Sequence, residues 1–343
     1  MWAEPKAVSR QIGQSLKQRD PKISIESQLW FTKSSPEFFQ GSLIRDFQLE
    51  KKTWSWLVAS PSFQRLPERL RLLGVEPSEL SWPTHVPVRL SQENTCLGNR
   101  ENVFLPFPLS LNWSSSHPSD HFSLELIEVS QWIYEQAIAP CVTQVFEDAP
   151  ALQAMFHQPD LRAQLIYVYS FFHELAHRIG PLRVSPEKDR RLNLSDFHFN
   201  TLGEIHADLI VFYLLSELPQ VTVLIFLFKI FWYLRRDQKC CDSDGVLGVY
   251  FWRESILSGA LRFQSSGQLS LDVPWLQKTM HQALNEVHRW VHQFIEEPLD
   301  QNSIVSLWFN KKAGVQTGTY QLPQELCLLF QKCRLIPTRV EPQ

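Results

Sequence analysis

The stretch Phe171-Phe-His-Glu-Leu-Ala-His-Arg-Ile-Gly180 constrains this chain more than any other. It contains His-Glu-x-x-His, a pattern whose chemistry requires a helix. Residues four apart share a helix face, so His173 and His177 can both reach one divalent ion. Glu174, one step round, can then lean over a water beside that ion. The preceding run, Leu161-Arg-Ala-Gln-Leu-Ile-Tyr-Val-Tyr-Ser170, has no Gly or Pro and is largely apolar, so a buried helix is predicted from Pro159 to Ile179. Gly180-Pro181 ends it, because proline is disfavoured inside a helix and restricts the residue before it.

Two histidines fall short of the three protein ligands usual at a catalytic zinc. The extended pattern His-Glu-x-x-His-x-x-Gly-x-x-His would place the third at residue 183. Gly180 falls in register, but the ligand position is Arg183, and a cation cannot ligate zinc. A helix predicted to start near Gly203 offers Gly203-Glu-Ile-His-Ala-Asp208 instead. Glu204 and Asp208 share one face of it. Glu204 can supply a carboxylate ligand, and Asp208 can accept the free ring N–H of a ligating histidine and fix its tautomer. His206 points about 200° away from Glu204 and is the weaker candidate. His198, in the preceding connection, is an alternative ligand.

These stretches resemble the dipeptidyl-peptidase III family of zinc metallopeptidases, most closely its short relatives found attached to Nudix hydrolases. The resemblance rests on His173-Glu-Leu-Ala-His-Arg-Ile-Gly-Pro181, on Glu204-Ile-His-Ala-Asp-Leu-Ile-Val-Phe-Tyr-Leu-Leu215, and more weakly on Gly259-Ala-Leu with Gly267-Gln-Leu-Ser-Leu-Asp272. It covers about residues 160 to 295. It implies a gluzincin site in which His173, His177 and Glu204 bind Zn2+, Glu174 is the general base and Asp208 supports a ligand from behind. The chain departs from the peptidases proper, which carry one more residue between the Glu and the second His and have a second lobe. It also lacks a Nudix signature.

Hydrolysis of an amide would need an oxyanion donor besides the metal. His281, His288 and His292 lie on one face of a predicted late helix, and His288 is the catalytic candidate among them. Arg253 and Tyr250 are further candidates. The alternative reading is a non-peptidase metalloenzyme, an iron or di-iron oxidase, or a non-catalytic zinc-containing binding protein. A di-iron bundle wants two Glu-x-x-His pairs, and the one here, Glu174 to His177, lies inside the metal motif itself. A purely structural zinc has no use for Glu174.

The rest of the sequence sets the frame. A net charge of -3 with no basic tail argues against nucleic acid as a partner. Met1-Trp-Ala-Glu-Pro-Lys6 has no apolar leader pattern. The cysteines, Cys96, Cys141, Cys240, Cys241, Cys327 and Cys333, show no zinc-ribbon spacing, so reduced thiols in a cytoplasmic protein are expected. Val221 to Leu234 is the most apolar stretch, but it is short of the roughly 20 residues a membrane span needs. It also contains Lys229, so a buried helical hairpin is predicted and no membrane span.

The expected fold is mainly α (α+β): a zincin-like helical metallohydrolase core with a mixed, Pro/Trp-rich amino-terminal region. The predicted divisions are a mixed α/β region over 1–120, a helical zinc-binding catalytic core over 121–300 and a carboxy-terminal segment over 301–343 packed on it. Within them, one helix is predicted from Trp54 to Leu73, then loops with short strands from Gly74 to Pro118. A helix follows from Leu124 to Phe146, interrupted near Pro140, and a hairpin near Gly267 leads to a long helix ending about Ile295. The tryptophans are expected to fill the core or line the cleft. The expected substrate is a peptide or small amide.

Overall fold

In the computed structural model, which describes residues 14–32, 35–91, 122–182, 196–234, 243–296, 315–316 and 319–333, the first large element is a sheet. Strands β1 (Lys22–Thr32), β2 (Ser35–Arg45), β3 (Thr84–Leu90) and β4 (Phe122–Leu126) pair in that order. The first two junctions are antiparallel and β3–β4 is parallel. The sequence reading missed β1 and β2, which show no sustained periodicity.

Between β2 and β3 lie α1 (Phe47–Val58) and α2 (Pro61–Leu72). The single helix predicted from Trp54 is therefore two. Ser60 caps the second by accepting from the Phe63 amide, and Pro61, with no N–H to satisfy, starts a helix rather than continuing one. A second correction falls at Leu124, predicted helical but placed in β4, beside β3. Helix α3 (Ile127–Ile133) begins only after it. A π-helical turn, Tyr134–Ile138, then leads into α4 (Ala139–Val145), so Pro140 sits in a first turn where its ring is tolerated. The short α5 (Ala149–Ala154) follows.

Helix α6 (Pro159–Ala176) carries the metal motif and is apolar on nearly every side, burying Leu165, Ile166, Tyr167, Val168, Phe171, Phe172, Leu175 and Ala176. Such a helix belongs at the centre of a protein. It packs on α1, α3, β3 and on two later helices, α7 (Asp196–Leu214) and α8 (Pro219–Phe228). Helix α7 starts before the predicted Gly203, so His198 stands on the helix and not in a connection. The apolar stretch from Val221 forms α8 and a π-helical turn, Lys229–Leu234, buried almost throughout as predicted. No helix among the described residues is long and apolar enough to cross a membrane.

Helix α9 (Ser243–Ser258) leads to the expected hairpin, β5 (Leu261–Phe263) and β6 (Leu269–Leu271). The long α10 (Val273–Glu296) follows, capped by Asp272, whose carboxylate accepts from the Trp275 amide at 3.0 Å. A two-residue pairing of β7 (Val315–Gln316) with β8 (Thr319–Tyr320) and helix α11 (Gln324–Lys332) close the described chain. The architecture is mainly helical with a small mixed sheet. Arg183, Cys96, Cys240, Cys241 and most of the stretch predicted as loops and strands up to Pro118 lie outside the described residues.

One close approach fixes the π-helical turn against α9. A Cβ on Gly248 would lie 2.6 Å from the Lys229 carbonyl oxygen and 2.7 Å from Leu234 Cβ. Backbone oxygen cannot move aside as a flexible side chain can. Gly248→Ala is therefore expected to lower stability by about 1–3 kcal/mol, the usual cost of overpacking, as measured by chemical denaturation.

Candidate metal centre

Helices α6 and α7 lie against each other and turn four polar residues toward one point. The first helix ends at Ala176 rather than at the predicted Ile179, so His173 stands in its last turn and His177 is its C-cap, while Glu204 and Asp208 are one turn apart on the second. His173 Nε2 lies 3.1 Å from His177 Nε2 and 3.1 Å from Glu204 Oε2, while His177 Nε2 is 3.5 Å from Glu204 Oε1. One donor atom from each of the three falls within 4.8 Å of the others. Two imidazoles and a carboxylate so placed could hold a divalent metal ion.

The tautomer fits the same purpose. His173 Nδ1 is 2.8 Å from Asp208 Oδ1 and donates to it, leaving Nε2 to face the carboxylate of Glu204. A neutral imidazole nitrogen and a carboxylate both present lone pairs, so they approach this closely only around a proton or a metal ion. Burial works against the imidazolium of His173, but Asp208 and Glu204 outweigh it and raise the pKa well above the ordinary value. Burial likewise opposes ionisation of Glu204, yet His177 and His173 hold its carboxyl below the usual range.

This has a measurable consequence. A histidine ligates a metal without its second proton, so a divalent ion bound at His173 would compete with H+ there. Because that pKa is raised, zinc affinity is expected to increase as pH rises from 6 to 8, and calorimetry in buffers of different ionisation enthalpy should register net proton release on binding.

The three donors open onto a cleft of about 220 Å³. Its wall includes Glu174, Glu125, Tyr169, Leu224, Phe228 and Tyr233. Glu174 is almost fully buried and follows His173, so it reaches the cleft beside the donors. Glu125 was missed in the sequence reading. It accepts from Ser130 Oγ at 2.7 Å and Ser170 Oγ at 2.8 Å, and burial, more than the hydroxyls oppose, pushes its pKa up to about 7. The signal was a lone acid in the apolar run Leu124-Glu-Leu126.

Behind the donors lies a buried charge network. Asp208 is 0% exposed, and its Oδ1 also accepts from the Tyr169 hydroxyl at 3.1 Å. Lys229 Nζ lies 3.3 Å from Asp208 Oδ2 and 2.8 Å from Asp244 Oδ1. Burial disfavours its ammonium, but the two carboxylates more than compensate and raise its pKa.

The other sequence candidates stand elsewhere. His206 is not part of the donor cluster, and its Nε2 lies 2.9 Å from that of His288. Gly180, at φ +76°, makes room for this pair: a Cβ there would lie 3.0 Å from the His206 ring. His281 sits against the Phe212 carbonyl at 3.3 Å, and His292 is exposed. Neither these three histidines of α10 nor Arg253 and Tyr250 line the cleft. His198 is buried on α7 and is not part of the donor cluster. No tryptophan lines the cleft among the described residues. Trp54 and Trp82 instead flank Phe171 in a separate groove with Phe63 and His85.

No family model matches the sequence, and no curated protein matches it. Solved structures do. The fold is similar to dipeptidyl-peptidase III from Caldithrix abyssi, with a TM-score of 0.60 at 11% identity over 97% of this chain. It is similar also to dipeptidyl-peptidase III from Corallococcus sp. strain EGB, with a TM-score of 0.56 at 13% identity over 94% of this chain. The chain spans 62% and 59% of the lengths of those structures.

Proposed function

We propose that this chain is a zinc-dependent metallohydrolase acting on a peptide or small amide. The observation that carries the reading is the convergence of His173, His177 and Glu204 on one point, with Glu174 in the cleft beside them. The likeness in fold to dipeptidyl-peptidase III supports the substrate class.

His173, His177 and Glu204 would hold the ion, as in a gluzincin. Zinc bound there would supply Lewis acidity toward a carbonyl and would acidify water. Glu174, in the cleft beside the donors, would take a proton from the attacking water and pass it to the leaving amine. Asp208 would keep the Nδ1 proton on His173 and so leave Nε2 free as a ligand. His288 is not among the residues of the cleft wall and pairs with His206, so the reading gives the oxyanion role to no residue of α10. The reading as a cytoplasmic protein rests on its cysteine usage, and nucleic acid is not among its partners by charge.

The iron or di-iron alternative is not favoured. The described residues gather a single three-donor cluster, whereas a di-iron site needs carboxylates and histidines for two ions. A binding protein with structural zinc would leave Glu174 without a task.

The test is cleavage of synthetic peptides with free and acetylated amino termini, read by mass spectrometry. Expected are discrete products that vanish with 1,10-phenanthroline and return with zinc. A zinc-loaded protein inert toward every peptide and small amide tried would contradict the hydrolase reading.

A further inference from the structure

Lys229 is a charged side chain only 2% exposed, on the wall of the metal cleft, in the first residue of a π-helical turn. Burying an ammonium costs several kcal/mol unless it is paired. The pairing here is double and specific. Asp244, on the first turn of α9, holds Nζ at 2.8 Å, and Asp208 holds it at 3.3 Å from the other side. The Tyr233 ring closes over it with its centroid 4.5 Å away. Asp244 and Gly248 are four apart on α9, so the face that grips the ammonium is also the face that meets the Lys229 backbone at close range.

A continuous chain of contacts results: Asp244 to Lys229, Lys229 to Asp208, Asp208 to His173. We infer that Lys229 is a positioning residue for the zinc centre, acting through Asp208 to hold the His173 imidazole in its ligating orientation. This rests on the zinc reading above. The physical reason lies in what fixes Asp208. Its carboxylate is 0% exposed, with Oδ2 3.3 Å from Lys229 Nζ and Oδ1 2.8 Å from His173 Nδ1. Without the ammonium, a buried carboxylate loses the partner that offsets its desolvation and holds Oδ1 toward His173.

Metal affinity in folded variants separates this role from a merely structural one. Lys229→Met should lower zinc affinity about 10–100-fold, the range for loss of an outer-shell partner, as measured by competition with a chromophoric chelator. Because Lys229 acts through Asp208, the Lys229→Met/Asp208→Asn double variant should bind zinc no more weakly than Asp208→Asn alone. The double variant removes both buried charges and serves as the test should Lys229→Met alone fail to fold. In that case, Asp208→Asn and the double variant must match in affinity.

Wild-type affinity in a folded Lys229→Met protein would overturn the role. So would losses that multiply in the double variant, since Lys229 would then act independently of Asp208. If the wild-type protein itself binds no zinc, the metal centre fails and this role with it. That result is distinct from a zinc-binding wild type that is indifferent to Lys229.

Discussion

Replacing Glu174 by Gln is expected to lower kcat for peptide hydrolysis about 10²–10⁴-fold, the contribution typical of a positioned general base. Zinc content and KM should stay near those of the wild type. Gln keeps the size and shape of the side chain but cannot take a proton. Glu174 is not one of the three converging donors, so the site keeps its ligands. Steady-state kinetics on zinc-loaded protein, with metal analysis of the same sample, checks both halves. Full activity in Glu174→Gln would move the base to another acid of the cleft wall, and Glu125 is there.

The second large effect is at Glu204. Glu204→Ala removes the anionic donor and leaves two histidines, below the three ligands a catalytic zinc needs. Zinc affinity should fall by more than about 100-fold, beyond the loss of an outer-shell partner. The protein should still fold, because the helix around Glu204 is anchored by Ile205, Ala207, Leu209 and Ile210, all 0% exposed. Competition with a chelator, alongside a thermal melt of the metal-free protein, separates loss of the ligand from loss of the fold. Unchanged affinity would remove Glu204 from the ligand set and turn attention to His198 or His206.

What could be read from the sequence follows from where the physics is local. Four-residue spacing on one helix is visible in a string of letters, so His173 with His177 and Glu204 with Asp208 could be paired before any fold was known. The helix bearing Val221 to Phe228 and the helix from Val273 were visible for the same reason, through unbroken apolar content and a capping Asp272.

Features created by distant partners were not visible. Strands β1 and β2 earn their structure by pairing with each other, and β4 by lying parallel to β3. Its residues Ser123 to Leu126 are all buried, so they give no alternation to distinguish them from the helix that follows. Lys229 was the sharpest case. In the sequence it was a charge that argued against a membrane span, and its partners Asp208 and Asp244 stand far along the chain. Glu125, likewise, gains its meaning from Ser170 on another element.

The most direct test of the central claim is an anomalous difference map across the zinc absorption edge, from crystals of protein incubated with zinc. The expected result is one peak per chain, about 2.0–2.2 Å from His173 Nε2, His177 Nε2 and a Glu204 oxygen, that vanishes below the edge. A peak elsewhere with none between α6 and α7, or an iron edge at this site in protein as purified, would contradict the account.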